Sequence, residues 1–197
     1  MVLTLAVAFF ILGADAVSAM FKGANCQEHT DGWAFMTGRE PMYLTERNFN
    51  TDLQNRNITE CVSAETRNDD RVSHVIEQSI TYHNKSSNKW ITFQKNFTAG
   101  AWGYGSTAIN FFSAVGPGGI NMTYLVLTVE ENCLVAKLLY RSNQRLRACE
   151  MWVRRSYFGG SASSDCCDRL YKSACDKTVQ VLYDETECSH MEEIKNG

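Results

Sequence analysis

Glu150 and Trp152 stand two residues apart, just after Cys149, in a stretch (149–188) that holds five of the chain's eight cysteines. At that spacing a carboxylate and an indole share one face of a strand. A carboxylate beside an aromatic face can hold a cation. The adjacent pair Cys166–Cys167 cannot comfortably bond to itself, because a disulfide needs wider Cα spacing and particular dihedrals. Each is therefore expected to reach a separate, distant partner. Reactive chemistry is poorly supplied. His29, His74, His83 and His190 are scattered; His83, beside an N-x-S sequon, reads as exposed, and His74 as interior. No serine sits in a nucleophile elbow, and no glycine-rich phosphate loop precedes a helix. Cys166, Cys167, Cys175 and Cys188 lack C-x-x-C spacing, so no metal site is expected. Neither catalysis nor a cofactor is expected.

Residues 2–12 are almost wholly apolar and lead into a small-residue run with Val17 and Ala19. That pattern predicts a secretory signal peptide over 1–19 and a single domain over 20–197. Secretion accounts for the even number of cysteines as a disulfide framework. Four sequons, at Asn57, Asn84, Asn96 and Asn121, are expected to carry glycans and so to face solvent. A formal charge of −3 gives no reason to expect nucleic acid; the run over 2–12 is too short to span a membrane, and no other run of about twenty apolar residues exists. A secreted, extracellular monomer is expected.

Between these landmarks the chain alternates polar and apolar residues in short runs. They predict strands over 42–49, 57–65, 72–83, 89–98, 107–115, 120–130, 133–141 and 148–155. Pro41 and Pro117 fall between runs, where they break no ladder. On the third run Val72, His74, Ile76, Ile80 and Tyr82 share a face. If Asn96 points out, Ile91, Phe93 and Phe97 point in; if Asn121 points out, Ile120, Met122, Tyr124 and Val126 point in. Asp31–Met36 suggests a short capped helix with Trp33 as a plug. A helix from Ser164 or Asp165 to Asp176 carries Cys167, Leu170, Tyr171 and Ala174 on one side. A short strand over 178–183 follows. Eight antiparallel strands imply a barrel or sandwich, and an eight-stranded barrel can enclose one small ligand. Glu150, Trp152 and Arg154 share a strand face with that interior. The alternative is an ordinary packed core with Glu150 paired to Arg154. Arg141, Arg145, Arg147, Arg154 and Arg155 read as a basic cluster around one hairpin.

The run from Cys166 to Tyr171 resembles the helix of secreted phospholipases A2, but Leu170 and Tyr171 stand where that family has its histidine and aspartate. Without a general base, hydrolysis is not expected. A wider resemblance covers the whole mature chain. Asn132–Val135, Cys149–Val153, Asp165–Cys167, Tyr183–Asp184 with Cys188, Asp31–Trp33 and Thr59–Val62 are similar to tick salivary lipocalins, the histamine-binding protein family. The resemblance implies an all-β, eight-stranded antiparallel up-and-down lipocalin barrel, with a short N-terminal helix and a C-terminal helix packed outside. It implies disulfides Cys61–Cys188, Cys133–Cys167, Cys26–Cys166 and Cys149–Cys175. It also implies a role in sequestering host inflammatory mediators, by default a biogenic amine such as histamine or serotonin.

The amine site that the resemblance implies is altered here. In amine-binding members an aspartate follows the cysteine that Cys133 matches; here that position is Leu134. Glu150 and Trp152 remain, Phe49 and Asp52 match an aromatic and an acid of a second site, and Phe112 matches an aromatic. With Leu134, Met122 and Tyr124 inward, the expected cavity is more apolar than one built for two histamines. A rival ligand in the same fold is a fatty acid or eicosanoid such as a leukotriene, its carboxylate held by an arginine or tyrosine. A rival of another class is a protein-binding inhibitor of host defence, such as complement, acting through loops and the basic hairpin.

Overall fold

Asp31 Oδ1 accepts a hydrogen bond from Trp33 N at 3.0 Å and starts helix α1 (Trp33–Thr37). The computed structural model that shows this turn describes residues 29–143, 145–159, 164–175, 177 and 180–189. The expected signal peptide and Cys26 lie outside the described residues. Strands β1 (Met42–Arg47), β2 (Thr59–Asp70), β3 (Val75–Asn84), β4 (Lys89–Gly100), β5 (Phe111–Val115), β6 (Asn121–Val129), β7 (Cys133–Leu138) and β8 (Cys149–Arg154) follow. Each pairs antiparallel with the next from β2 to β8, and β1 closes the ring between β8 and β2. This is the expected barrel.

Alternation works where no turn competes with it. Asn96 and Asn121 are exposed, while Phe97 and Val126 are buried. It fails before β3. Asp70 Oδ1 accepts from Val72 N at 2.8 Å and its Oδ2 from Ser73 Oγ at 2.7 Å. This turn leaves Val72 95% exposed and puts His74 at φ 54°, with its ring edge-on to Trp33. Local side-chain bonding to the backbone overrides parity here. The same cause shortens β5 at its start: Asn110 bonds both the N–H and the C=O of Trp102, at 2.6 and 3.1 Å. His83 is buried, not exposed; it bonds Glu60 at 2.8 Å and packs edge-on against Trp90.

One end of the barrel is plugged. Trp33 and Phe35 of α1 join Ile76, Phe97, Phe112, Val126 and Leu134 in an inner core. A Cβ on Gly32 would meet Phe112 and Val126 at 3.0 Å, tighter than ordinary packing, so a larger residue here requires those side chains to shift. Arg154 is held at this plug. It donates to Phe35 O at 2.7 Å and Glu40 O at 2.8 Å and lies over the Phe35 ring. The basic cluster is therefore not one patch. Arg154 and Arg155 lie at the plugged end of β8, and Arg141, Arg145 and Arg147 in the loop at its other end.

Outside the barrel, helix α2 (Ser164–Ala174) covers the outward residues of β7 and β8. Val135, Met151 and Val153 form a buried cluster with Cys167, Tyr171 and Cys175. Disulfides Cys133–Cys167 and Cys149–Cys175 pin α2 near each end, and Cys61–Cys188 ties β2 to the last described turn. These are three of the implied pairings; the fourth involves Cys26. Strand β9 (Gln180–Val181) is a wedge. β1 and β2 pair only at Met42–Ala64 and Tyr43–Ser63. Beyond that they part, and 180–182 fills the gap. Leu182 N donates to Thr45 O at 2.8 Å, and Leu182 O accepts from Cys61 N.

Candidate ligand-binding site

The inner faces of the strands enclose a cavity of about 520 Å³ that opens at the end opposite α1. Its volume falls within the range of small-molecule sites. Leu44, Val62, Ile80, Tyr82, Phe93 and Met122 supply apolar wall. A second, deeper pocket of about 60 Å³ lies towards the plug, beside Phe97, Phe112 and Leu134. Ile80, Lys95, Tyr124 and Trp152 line both and form a waist between them.

Of the expected residues, Phe49, Asp52, Met122, Tyr124, Glu150 and Trp152 line the main cavity, and Phe112 and Leu134 the deeper pocket. Glu150 is buried, and its Oε2 accepts from Trp152 Nε1 at 3.1 Å. Burial pushes its carboxyl up, against the pull of Arg47, the Trp152 N–H, Lys95 and Arg141. Glu150 is not paired with Arg154, which is committed to α1. Asp52 stands at the rim but is already engaged. It pairs with Arg56 at 2.7 Å and accepts from the backbone of Gln54 and Arg56, both at 2.9 Å. Burial would raise Asp52, yet these bonds hold it below the usual carboxylate range. Its charge closes its own loop.

Three cations in this cavity are absent from the expected ligand-binding residues. Lys95 is on β4, on the same side as Phe93 and Phe97, so parity already pointed it inward. Its Nζ donates to Tyr124 Oη at 3.2 Å and Met122 Sδ at 3.4 Å. It also lies 5.1 Å from the Phe97 ring centroid and 5.4 Å from that of Tyr124. Burial pushes the ammonium down to about 8, against the attraction of Glu150. Arg47 is buried, and strict alternation would aim it outward with Tyr43. A β-bulge between Leu44 and Glu46 shifts the register, so Leu44 and Arg47 both face the cavity. Gln180 of the wedge fixes it: Oε1 accepts from Arg47 Nε at 2.9 Å and Nη2 at 2.6 Å. Arg141 comes from the loop after β7 and lies 4.3 Å from the Phe49 ring centroid. The expected strand over 133–141 ends at Leu138, so Arg141 lies in a turn that alternation does not describe, while the parity of Leu134 carries on to Tyr140, whose ring meets Tyr124 edge-on at 5.7 Å. Burial raises both phenols well above their ordinary range.

Residues 20–190 match the family described as tick histamine binding protein. The chain belongs to that family. Among curated proteins no relative is detected. Two solved structures share the fold. A protein called AM182, in complex with serotonin, is 17% identical, with a TM-score of 0.53 over 82% of this chain and 96% of that one. The cockroach allergen Per a 4 is 13% identical, with a TM-score of 0.53 over 84% of this chain and 98% of that one. For this member of the tick histamine binding family, fold and kinship support small-ligand binding in the barrel. Within the cavity, three inward cations face one enclosed carboxylate, Glu150.

Proposed function

We propose that this protein sequesters a small amphipathic anion, a fatty acid or eicosanoid-type carboxylate, as a secreted scavenger of host mediators. One observation carries this reading. Lys95 places the chain's own ammonium over two aromatic rings and within the field of Glu150, which are the features an amine ligand would use. The amine position is therefore already filled by a tethered amine. A further buried cation would meet Arg47, Lys95 and Arg141, offset mainly by Glu150, since Asp52 at the rim is committed to Arg56. An anion meets the reverse balance, with its apolar part along Leu44, Val62, Ile80 and Phe93.

The family description and the retained Glu150–Trp152 bond favour a second reading, a biogenic amine. Calorimetry separates the two. Arachidonate is expected to bind at least tenfold more tightly than histamine or serotonin. Tighter binding of either amine to the unaltered protein would overturn the anion reading.

A further inference from the structure

We propose that Lys95 is a covalent capture site for apolar aldehydes, forming an imine inside the barrel. The inference rests on the cavity admitting a ligand and goes beyond which anion it takes. Lys95 sits at the waist between the main cavity and the deeper pocket, bordered by Ile80, Trp152 and Tyr124. Both of its hydrogen bonds go to neutral groups, Tyr124 Oη and Met122 Sδ. Among the described residues no ion pair holds the nitrogen, so it can leave these contacts for a carbonyl carbon. The charged and titratable side chains that line the main cavity with it are Arg47 of β1, Asp52 and Arg56 of the following loop, Tyr82 of β3, Tyr124 of β6, Glu150 of β8, and Tyr140 and Arg141 of the loop after β7. Burial raises the share of free amine at neutral pH, which makes a lysine nucleophilic.

The step balances without an oxidant or reductant. The Nζ lone pair forms a C–N bond to the aldehyde carbon, and the carbonyl π pair goes to oxygen. That oxygen takes a proton, for which the Tyr124 hydroxyl, 3.2 Å from Nζ, is placed as the relay. Loss of that oxygen as water leaves a protonated imine. Ammonium and aldehyde thus become iminium and water, one positive charge replacing another. Glu150 faces the same net charge before and after, so no new charge is buried. The aldehyde's chain then lies along the apolar wall, which a polar aldehyde cannot exploit.

The test uses octanal, one equivalent, with sodium cyanoborohydride at pH 7, followed by peptide mapping. Lys95 is expected to be alkylated roughly tenfold more than the exposed Lys85 or Lys89, as suits a desolvated amine. Lys95→Arg should lose that adduct, and Tyr124→Phe should form it several-fold more slowly. In parallel, octanoate should change Trp152 fluorescence. Labelling of Lys95 no greater than of Lys85 and Lys89, in protein that responds to octanoate, overturns the imine site alone. No response to octanoate and no preference for Lys95 overturns the ligand cavity as well.

Discussion

Lys95 lowers the stability of the empty protein while it shapes the site. Its ordinary value is 10.5 and burial brings it to about 8. Between those values the unfolded chain binds the proton that the folded chain has released, so stability rises with pH from about 8 to 10.5. Below 8 the full penalty applies, about 3–4 kcal/mol for a shift of this size. Lys95→Met should therefore raise stability by about that amount at neutral pH, as measured by urea unfolding. The same variant should weaken arachidonate binding tenfold or more and strengthen histamine binding, because Glu150 and the Tyr124 and Phe97 rings become available. Carboxylate affinity of the unaltered protein should fall between pH 7 and 9, as Lys95 loses its proton. A flat profile over that interval would remove Lys95 from the anion site.

Elements position these groups, and two small devices decide which side chains arrive. Gly38 follows α1, and a Cβ there would overlap the Arg154 guanidinium. Gly38→Ala should push Arg154 off Phe35 O and Glu40 O and cost about 2–4 kcal/mol, because a buried charge loses its acceptors. Thermal unfolding of the variant checks it. The bulge in β1 is the other device, and it marks the limit of what alternation alone reveals. Parity placed Phe97, Tyr124 and Val126 correctly because the exposed asparagines Asn96 and Asn121 anchor the alternation of β4 and β6. The same parity puts Lys95 on the inward face of β4, although it is absent from the expected inward residues. Arg47 was hidden, because a bulge leaves no periodic trace in the sequence. Val72 is turned out by a turn that Asp70 and Ser73 organise, which also takes His74 out of the strand while leaving its ring against Trp33. Asp52 is expected only through the resemblance, as an acid of a second site, and its commitment to Arg56 depends on loop geometry.

At the scale of the molecule, the barrel is a cup with a plug at one end and bridges on its outer wall. Cys133–Cys167 and Cys149–Cys175 fasten α2 to β7 and β8, and Cys61–Cys188 spans 127 residues of sequence. Replacing Cys61 and Cys188 by serine should cost about 2–4 kcal/mol in global stability. It should also speed ligand release, measured by stopped-flow fluorescence of Trp152, because β9 holds Arg47 through Gln180. A variant with lower stability but unchanged release would show that the bridge does not act on the site.

The parting of β1 from β2 has one more consequence. Over that length the cup's side is caulked by 180–182 rather than by a neighbouring full strand. A chain ending before residue 180 would keep its eight staves and still have a leak: a slot beside Arg47 through which water reaches the bound head group.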